Sequence, residues 1–187
     1  MLLTIQEFRL TKIIITLGIT SLVFGWLLWE HFHGGVTTHH ILQRKDMPGI
    51  SNWWGGLLLP IMTWLLLSKV QTRLLKQVSQ QTNPDKQLYH ILALFLGGLL
   101  VAIILAVSFT YNYQPFLENV PYFFLILSLF IPIYFAEFIL GFVLGMTFTF
   151  GPILPTVFVL VLAAIGFLIY RFIRPLLLNL KSRLTNK

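Results

Sequence analysis

The side chains best suited to chemistry lie in one stretch, residues 30–54, which reads EHFHGGVTTHHILQRKDMPGISNWW. It holds four of the five histidines of the 187-residue chain and two of its six acidic residues. Imidazole and carboxylate groups are ligands of zinc and other first-row divalent ions. The chain contains no cysteine, which excludes thiolate ligands, thiol catalysis and disulfides. The stretch therefore predicts a site built from histidines and carboxylates.

A metal site in this loop would require the chain to fold back at its glycine pair. Such a fold would bring His33 against His39 or His40, with Glu30 or Asp46 as a further ligand or as a group that orients a ligand. The cofactor under this hypothesis is a divalent metal such as zinc. The spacing matches no zinc signature such as HExxH. Two alternatives stay open: the rings lie among lipid headgroups as interfacial side chains, or they exchange protons without a metal.

The same loop offers a weaker case for hydrolysis. Ser51, with Asp46 as the catalytic carboxylate and a loop histidine, could form a triad, but no GxSxG elbow surrounds the serine. Its position just before an apolar segment is typical of a helix N-cap. Thr37 or Thr38 predicts another cap, for a short helix that runs through Gln43.

Glu137 is the second catalytic candidate, because it lies within an apolar segment. A charged acid in mid-membrane costs about 2.5–3.5 kcal/mol on insertion scales, so such residues usually face the bundle interior. Gly141 and Gly145 follow on the same helical face and form a GxxxG pattern, which permits close helix packing. We expect Glu137, as the protonated acid, to donate a hydrogen bond across that contact. The partner considered is His90, reached through a water.

The composition indicates the environment of the chain. Apolar residues make up 57% and charged residues 10%, against about 25% charged in a typical soluble domain. Several apolar runs approach or exceed the roughly 20 residues that cross a bilayer as a helix. The net charge is +7, but the basic residues flank apolar segments, where membrane lipids rather than nucleic acid are the natural partner. These features predict a multi-pass integral membrane protein, placed in the cell membrane.

The apolar runs predict an all-α fold, a polytopic transmembrane helical bundle of about five spans. The spans cover about residues 13–29, 53–68, 88–110, 121–148 and 151–170. The chain is one membrane domain, 1–187, with a histidine-rich interfacial loop at 30–52 and a basic amphipathic tail at 171–187. The alternative is four spans plus a re-entrant hairpin that turns at the GPILP sequence.

The orientation of five spans is not determined by charge. One side would carry six basic residues and the other, with residues 44–45 and the tail, would carry seven. The positive-inside rule needs a clear excess. Moving the tail across the membrane would change the count to eleven against two. The number of passages between residues 121 and 173 therefore decides the orientation.

Three functions remain as hypotheses. The first is a metal-dependent enzyme that uses the interfacial loop on a lipid or lipid-linked substrate. The second is a proton-coupled transporter or channel for a small solute, with Glu137 as its central residue. The third is a non-catalytic subunit of a membrane complex or a homo-oligomer, assembled through the small-residue faces of its helices.

Overall fold

The computed structural model describes the backbone of residues 5–40, 46, 48–78 and 84–178. These residues form seven α-helices, one two-stranded antiparallel sheet and one π-helical turn. In chain order they are α1 (Ile5–Phe32), β1 (Thr38–His40), β2 (Gly49–Ser51), α2 (Trp53–Val78), α3 (Pro84–Thr110), α4 (Gln114–Leu117), α5 (Val120–Phe130), α6 (Ala136–Phe150), α7 (Ile153–Leu168) and the π-turn (Ile169–Ile173).

Four of the helical segments are long and apolar enough to cross a membrane: Phe8–Phe32, Trp53–Lys76, Lys86–Thr110 and Ile153–Leu178. The helices α5 and α6 are also apolar, but they have only 11 and 15 residues. At 1.5 Å per residue they measure about 16 and 22 Å, less than the roughly 30 Å of a bilayer's hydrocarbon core. The all-α membrane bundle expected from the sequence is confirmed.

The fourth span expected from the sequence, at about residues 121–148, is two helices and not one. The break falls at Ile131, which is extended (φ −118°, ψ 134°) and caps the end of α5. The following residue is Pro132, whose ring disfavours a helical conformation at the residue before it and which has no N–H to continue the helix. A new helix begins only at Ala136.

The chain reverses direction at this break, so that α5 and α6 form a helical hairpin. Tyr134, in the turn, contacts Tyr170 just beyond α7. At the other end of α6, Phe148 packs on Trp26 and Phe150 packs on Phe109 at the end of α3. The structure therefore has four long helices and one short hairpin, as in the alternative prediction of four spans plus a hairpin. The hairpin, however, turns at residues 131–135 and not at the GPILP sequence.

The helix α6 runs parallel to α3 and packs against it through glycines. A Cβ added to Gly98 would meet the carbonyl oxygen of Phe138, and one added to Gly141 would meet the carbonyl oxygen of Phe95. A Cβ on Gly145 would lie 2.7 Å from Ala102 Cβ. The close packing predicted from the GxxxG pattern is confirmed, because only glycine lets the two backbones approach this far.

The two ends of the bundle differ in charge. We call the end with β1, β2 and Gly151 the histidine end, and the end with Arg73 and Glu137 the arginine end. Every lysine and arginine that the structure describes lies at the arginine end; these are Arg9, Lys12, Lys69, Arg73, Lys76, Lys86, Arg171 and Arg174. The five-span prediction placed the last two at the opposite end. The additional reversal between α5 and α6 brings them to the arginine end.

The tail and the loop also differ from expectation in detail. Within 171–187 only residues 171–178 are described, and they continue the helical path of α7. In the loop, the segment expected to begin a short helix is strand β1, in which Thr38 pairs with Ser51 and His40 pairs with Gly49. The N–H of Asn52 also donates to the carbonyl of Thr37. Gln43 lies outside the described residues.

Candidate functional site

Glu137 is the most deeply buried acidic side chain that the structure describes. It lies in the first turn of α6 and is 3% exposed. Its Oε1 accepts a hydrogen bond from Arg73 Nη2, and the two side chains form an ion pair. The guanidinium carbon of Arg73 also lies 4.2 Å from the centre of the Phe135 ring, a favourable cation–π arrangement.

This geometry corrects two expectations about Glu137. Arginine carries hydrogen-bond donors only, so the carboxyl group accepts in this contact and does not donate. His90 is not the partner of the acid: its ring packs edge-on against Phe135, with the ring centres 6.2 Å apart. The expectation that the acid faces the interior of the bundle is confirmed.

The second carboxylate oxygen of Glu137 is the chemically open position. Oε2 is buried and has no hydrogen-bond partner among the described residues. Buried polar atoms are nearly always paired, with protein or with ordered water. The atom can therefore accept a hydrogen bond from a water or a polar ligand, or take up a proton.

Arg73 is the residue that the sequence reasoning missed. The predicted second span ended at about residue 68, so Arg73 counted only among the basic residues that flank the spans, and no contact with Glu137 was expected. With residues 121–148 as a single helix, Glu137 would lie midway along the span. The signal that could have found the pair is Pro132, because a break there moves Glu137 to the beginning of a new helix at the end where α2 finishes.

An aromatic cluster joins this pair to the end of α7. The Tyr134 ring lies edge-on to Phe167 and Tyr170, with centres 5.3 and 5.8 Å apart. Tyr170 belongs to the π-turn and stacks under Arg174, whose guanidinium carbon is 4.5 Å from the ring centre. Such π-helical turns are rare and frequently occur at functional sites.

At the histidine end, Glu30 anchors the loop to α1. Its Oε1 accepts hydrogen bonds from Trp26 Nε1 and Thr37 Oγ1, both at 3.1 Å, and its Oε2 accepts from Thr37 N at 3.2 Å. The intervening Gly34 and Gly35 have φ values of 120° and 98°, which are costly for residues with a Cβ. The glycine hinge is thus confirmed, and the carboxylate holds it closed.

The loop histidines occupy different surroundings. His33 stacks on Trp29 with ring centres 4.6 Å apart, and its Nδ1 donates to the Trp29 carbonyl at 2.8 Å. His39 is half-buried against Gly151, and its Nε2 has no hydrogen-bond partner among the described residues. Burial lowers the pKa of His39 below 6.5, while nearby Glu30 raises it by a smaller amount. His40 packs beside Gly49.

The structure does not bring the predicted metal ligands together. Among the residues it describes, no three His, Asp or Glu side chains are close enough to hold a metal ion. Asp46 is exposed in a turn between the strands. The Ser51 hydroxyl accepts from the N–H of Trp53 at 3.4 Å, which agrees with its interpretation as a cap of α2.

A cavity of about 200 Å³ lies between α1, α2 and α6 at the histidine end. Its polar lining residues are Asn52, Thr147 and Trp26, and it extends along α2 to Leu59. One turn further along α2, Thr63 is fully buried and its hydroxyl has no partner among the described residues. Thr63 therefore places one buried hydroxyl beyond the cavity, in the direction of the arginine end.

Comparison of the chain with protein-family models, with curated proteins and with solved structures finds no match. Of the two candidate sites, the arginine end is the better formed, because it combines a buried ion pair with an unpaired carboxylate oxygen. The histidine end supplies an anchored hairpin, but the structure does not bring its proposed ligands together among the described residues.

Proposed function

We propose that this chain is a multi-pass membrane carrier or channel that moves protons, alone or with a small solute, through the site around Glu137. The observation that carries the proposal is the 3% exposed carboxyl group, paired with Arg73 through one oxygen and unpaired at the other. Ionisable residues within membrane-spanning bundles commonly mark proton or ion pathways.

The charge distribution supports a definite orientation in the cell membrane. Eight described lysines and arginines lie at the arginine end, whereas only Arg44 and Lys45, which are outside the described residues, fall in sequence between the two strands of the histidine end. Basic residues next to membrane-spanning segments are retained on the cytoplasmic side. We therefore assign the arginine end to the cytoplasm and the histidine end to the outside.

Protonation of Glu137 would change the forces at the ion pair. A neutral acid no longer attracts the guanidinium of Arg73 as an ion, so the pair would weaken when the acid takes up a proton. The second helix of the broken α5–α6 hairpin carries Glu137, and the π-turn is linked to the pair through Tyr134 and Phe135. Discontinuous helices are common at the sites of transporters. The hairpin and the π-turn are the elements that we expect to shift when the acid changes its charge.

A route toward the site is supported by the cavity at the histidine end and by Thr63. These features supply polar atoms with which water or protons can interact along part of the distance from the outside to the cytoplasmic side. The separation of Thr63 from Arg73 is ten residues, or about 15 Å along the helix axis. We propose that this part of the pathway fills with water only during transport.

The test is proton flux in liposomes that contain the purified chain. With an imposed pH gradient and a pH-sensitive dye, we expect the wild type to dissipate the gradient well above protein-free vesicles. Glu137→Gln should abolish this flux, because an amide retains the hydrogen-bonding shape but cannot exchange a proton. Glu118→Gln, at an exposed acid near the histidine end, is the matched control and should behave like the wild type.

Equal flux through the wild type and Glu137→Gln would refute the proposal, as would a wild type indistinguishable from empty vesicles. The metal-dependent lipid enzyme stays a prediction that elemental analysis of the purified chain can test, with His33→Ala and His39→Ala as the informative variants. The non-catalytic subunit also stays a prediction, tested by the mass of the complex that the chain forms in native membranes.

A further inference from the structure

Gln87 is a buried amide at the arginine end, separate from the ion pair of Arg73 and Glu137. It lies in the first turn of α3 and is 7% exposed. Its side-chain Nε2 is buried and has no hydrogen-bond partner within the described part of the chain. Proteins leave few buried polar atoms unpaired, and an ordered water usually satisfies those that protein atoms do not. The amide therefore marks a place where water enters the bundle.

Gln87 and Glu137 both lie along the contact between α3 and α6. Gln87 and Gly98 are eleven residues apart, close to three full turns, so they share one face of α3. This face packs on α6, because a Cβ added to Gly98 would meet the backbone of Phe138. Glu137 precedes Phe138, and its Oε2 is also buried and unpaired among the described residues. One buried donor and one buried acceptor thus lie without protein partners along the same helix contact.

The separation of these two side chains follows from the helix contact. Gly98 lies opposite the turn of α6 from Phe138 to Phe142. Along two parallel helices, with 1.5 Å per residue, Glu137 lies about 4 Å and Gln87 about 16 Å from this point toward the arginine end. A separation of about 12 Å is too long for a direct hydrogen bond. It fits a file of about three waters with oxygen atoms about 2.8 Å apart.

The turn between α5 and α6 borders this gap. The Phe135 ring in that turn lies 4.2 Å from the guanidinium carbon of Arg73 and edge-on to His90, with ring centres 6.2 Å apart. His90 follows Gln87 by three residues on α3, so the turn is level with the beginning of that helix. The ion pair, the turn and Gln87 thus form one continuous region at the arginine end.

We propose that Gln87 is a positioning residue that holds this water file and so connects Glu137 with the cytoplasm. The inference rests on the proposed function, because it assigns the cytoplasmic side of the same proton pathway. A water that accepts a hydrogen bond from Gln87 Nε2 keeps both of its own hydrogens to donate toward the carboxylate.

The proton balance of the step is simple. The O–H bond of protonated Glu137 breaks, and the proton forms a new O–H bond with the nearest water of the file. The excess proton then passes from water to water toward the cytoplasm. The amide of Gln87 stays neutral throughout, and Arg73 pairs with the carboxylate that remains. Uptake of a proton from the cytoplasm follows the same file in reverse.

The first test is proton flux in liposomes that contain full-length variants at position 87. Gln87→Met removes the N–H donors and keeps the length of the side chain, and Gln87→Leu removes them with a branched side chain of similar volume. We expect each to lower the flux about tenfold or more, because proton transfer depends on a correctly placed partner. Gln87→Asn retains the amide and should restore most of the flux. Gln71→Met, at a half-buried amide of α2 at the same end, is the matched control and should behave like the wild type.

The melting temperatures of the same variants separate positioning from a structural role. Replacing a buried donor that has no protein partner by an apolar group of similar shape is nearly neutral or stabilising. We therefore expect Gln87→Met to melt in detergent at or above the wild-type temperature while it loses flux. Wild-type flux in both Gln87→Met and Gln87→Leu would overturn the proposal. A loss of flux matched by a loss of stability in both variants would also overturn it.

A second measurement does not depend on transport. Infrared spectra at acid pH record the carboxyl band of protonated Glu137, which is assigned by its loss in Glu137→Gln. Transfer into D₂O shifts this band as the acid exchanges its proton with solvent. We expect the exchange to be about tenfold slower in Gln87→Met than in the wild type and in Gln71→Met, because the same placed waters carry it.

The two measurements distinguish this inference from the proposed function. A wild type without flux whose exchange still slows in Gln87→Met would refute transport and retain the water file. Normal wild-type flux with equal flux and exchange in Gln87→Met would refute the water file and retain transport. A wild type that shows no carboxyl band of Glu137 even at acid pH would overturn both.

Discussion

At the scale of single residues, the buried ion pair defines the most specific expectations. Arg73→Met should be costly, because it leaves the carboxyl group of Glu137 buried without a counter-ion; breaking a buried pair typically costs about 3–5 kcal/mol. Glu137→Leu should cost less, because Arg73 is 25% exposed and can turn toward solvent. Reversible unfolding in mixed detergent micelles measures both free energies.

The double variant Arg73→Met/Glu137→Leu provides the control for this comparison. If the pair acts as a unit, the double variant should be more stable than the sum of the two single losses predicts, by about 1 kcal/mol or more. Strict additivity of the two losses would mean that the side chains stabilise the bundle separately and that their contact is incidental.

His39 provides a second residue-level expectation, in its dependence on pH. Because burial lowers its pKa below 6.5, the unfolded chain binds a proton at a higher pH than the folded hairpin does. The stability contributed by neutral His39 is therefore complete above pH 6.5 and decreases as the pH falls below it. Melting temperatures from mildly acidic to neutral pH should decline with acid in the wild type and less in His39→Asn.

His31→Asn serves as the comparison for this experiment, since His31 is exposed at the same end. It should retain the wild-type dependence on pH. An unchanged acid response in His39→Asn would show that another group controls the stability of the hairpin.

At the scale of elements, we expect the packing of α3 against α6 to be destabilised by a single added methyl group where the two backbones are closest. Gly98→Ala would force its Cβ into the backbone of α6 at Phe138. Overpacking typically costs about 1–3 kcal/mol, and here neither backbone can yield without separating the helices. The melting temperature of Gly98→Ala in detergent should drop by several degrees or the protein should fail to fold.

The adjacent glycine is the matched control. Nothing lies within 4 Å of a Cβ added to Gly97, and alanine is favoured over glycine within a helix by about 1 kcal/mol. Gly97→Ala should therefore be as stable as the wild type or more stable. A loss as large as that of Gly98→Ala would contradict the packing described for these helices.

At the scale of the whole molecule, the expectation concerns which ends share a side of the membrane. A cysteine at Lys86 and a reporter fused after residue 187 should both report the cytoplasmic side. A cysteine at Thr38 should react with a membrane-impermeant reagent from outside. The five-span arrangement instead requires the fused reporter on the same side as Thr38. Detection of the reporter on that side would therefore exclude the chain reversal between α5 and α6.

The features of this fold that depend on composition and on local sequence patterns could be predicted from the sequence. The apolar runs, the start of the second long helix at residue 53 and the close packing at Gly141 and Gly145 all depend on local patterns, and they are confirmed. The break at Pro132 was harder to predict from the sequence, because prolines also occur within helices, as Pro60 does in α2. The pairing of Arg73 with Glu137 could not be predicted without that break. One additional chain reversal changes which residues of distant helices lie at the same depth in the bundle.

The parallel arrangement of α3 and α6 has a consequence for biogenesis. Neighbouring helices that follow one another directly can pair as an antiparallel hairpin while the ribosome is still adding residues, but α6 must wait until α5 has been made. By then α2 and α3 have been made. Arg73 and the face of α3 that carries Gly98 are therefore present before Glu137 of α6 enters the bilayer. A nascent chain that stops before α6 leaves the guanidinium without its counter-ion. Because Arg73 can turn toward solvent while it waits for the acid, the mark of that unfinished intermediate is the glycine face of α3 that α6 has not yet covered.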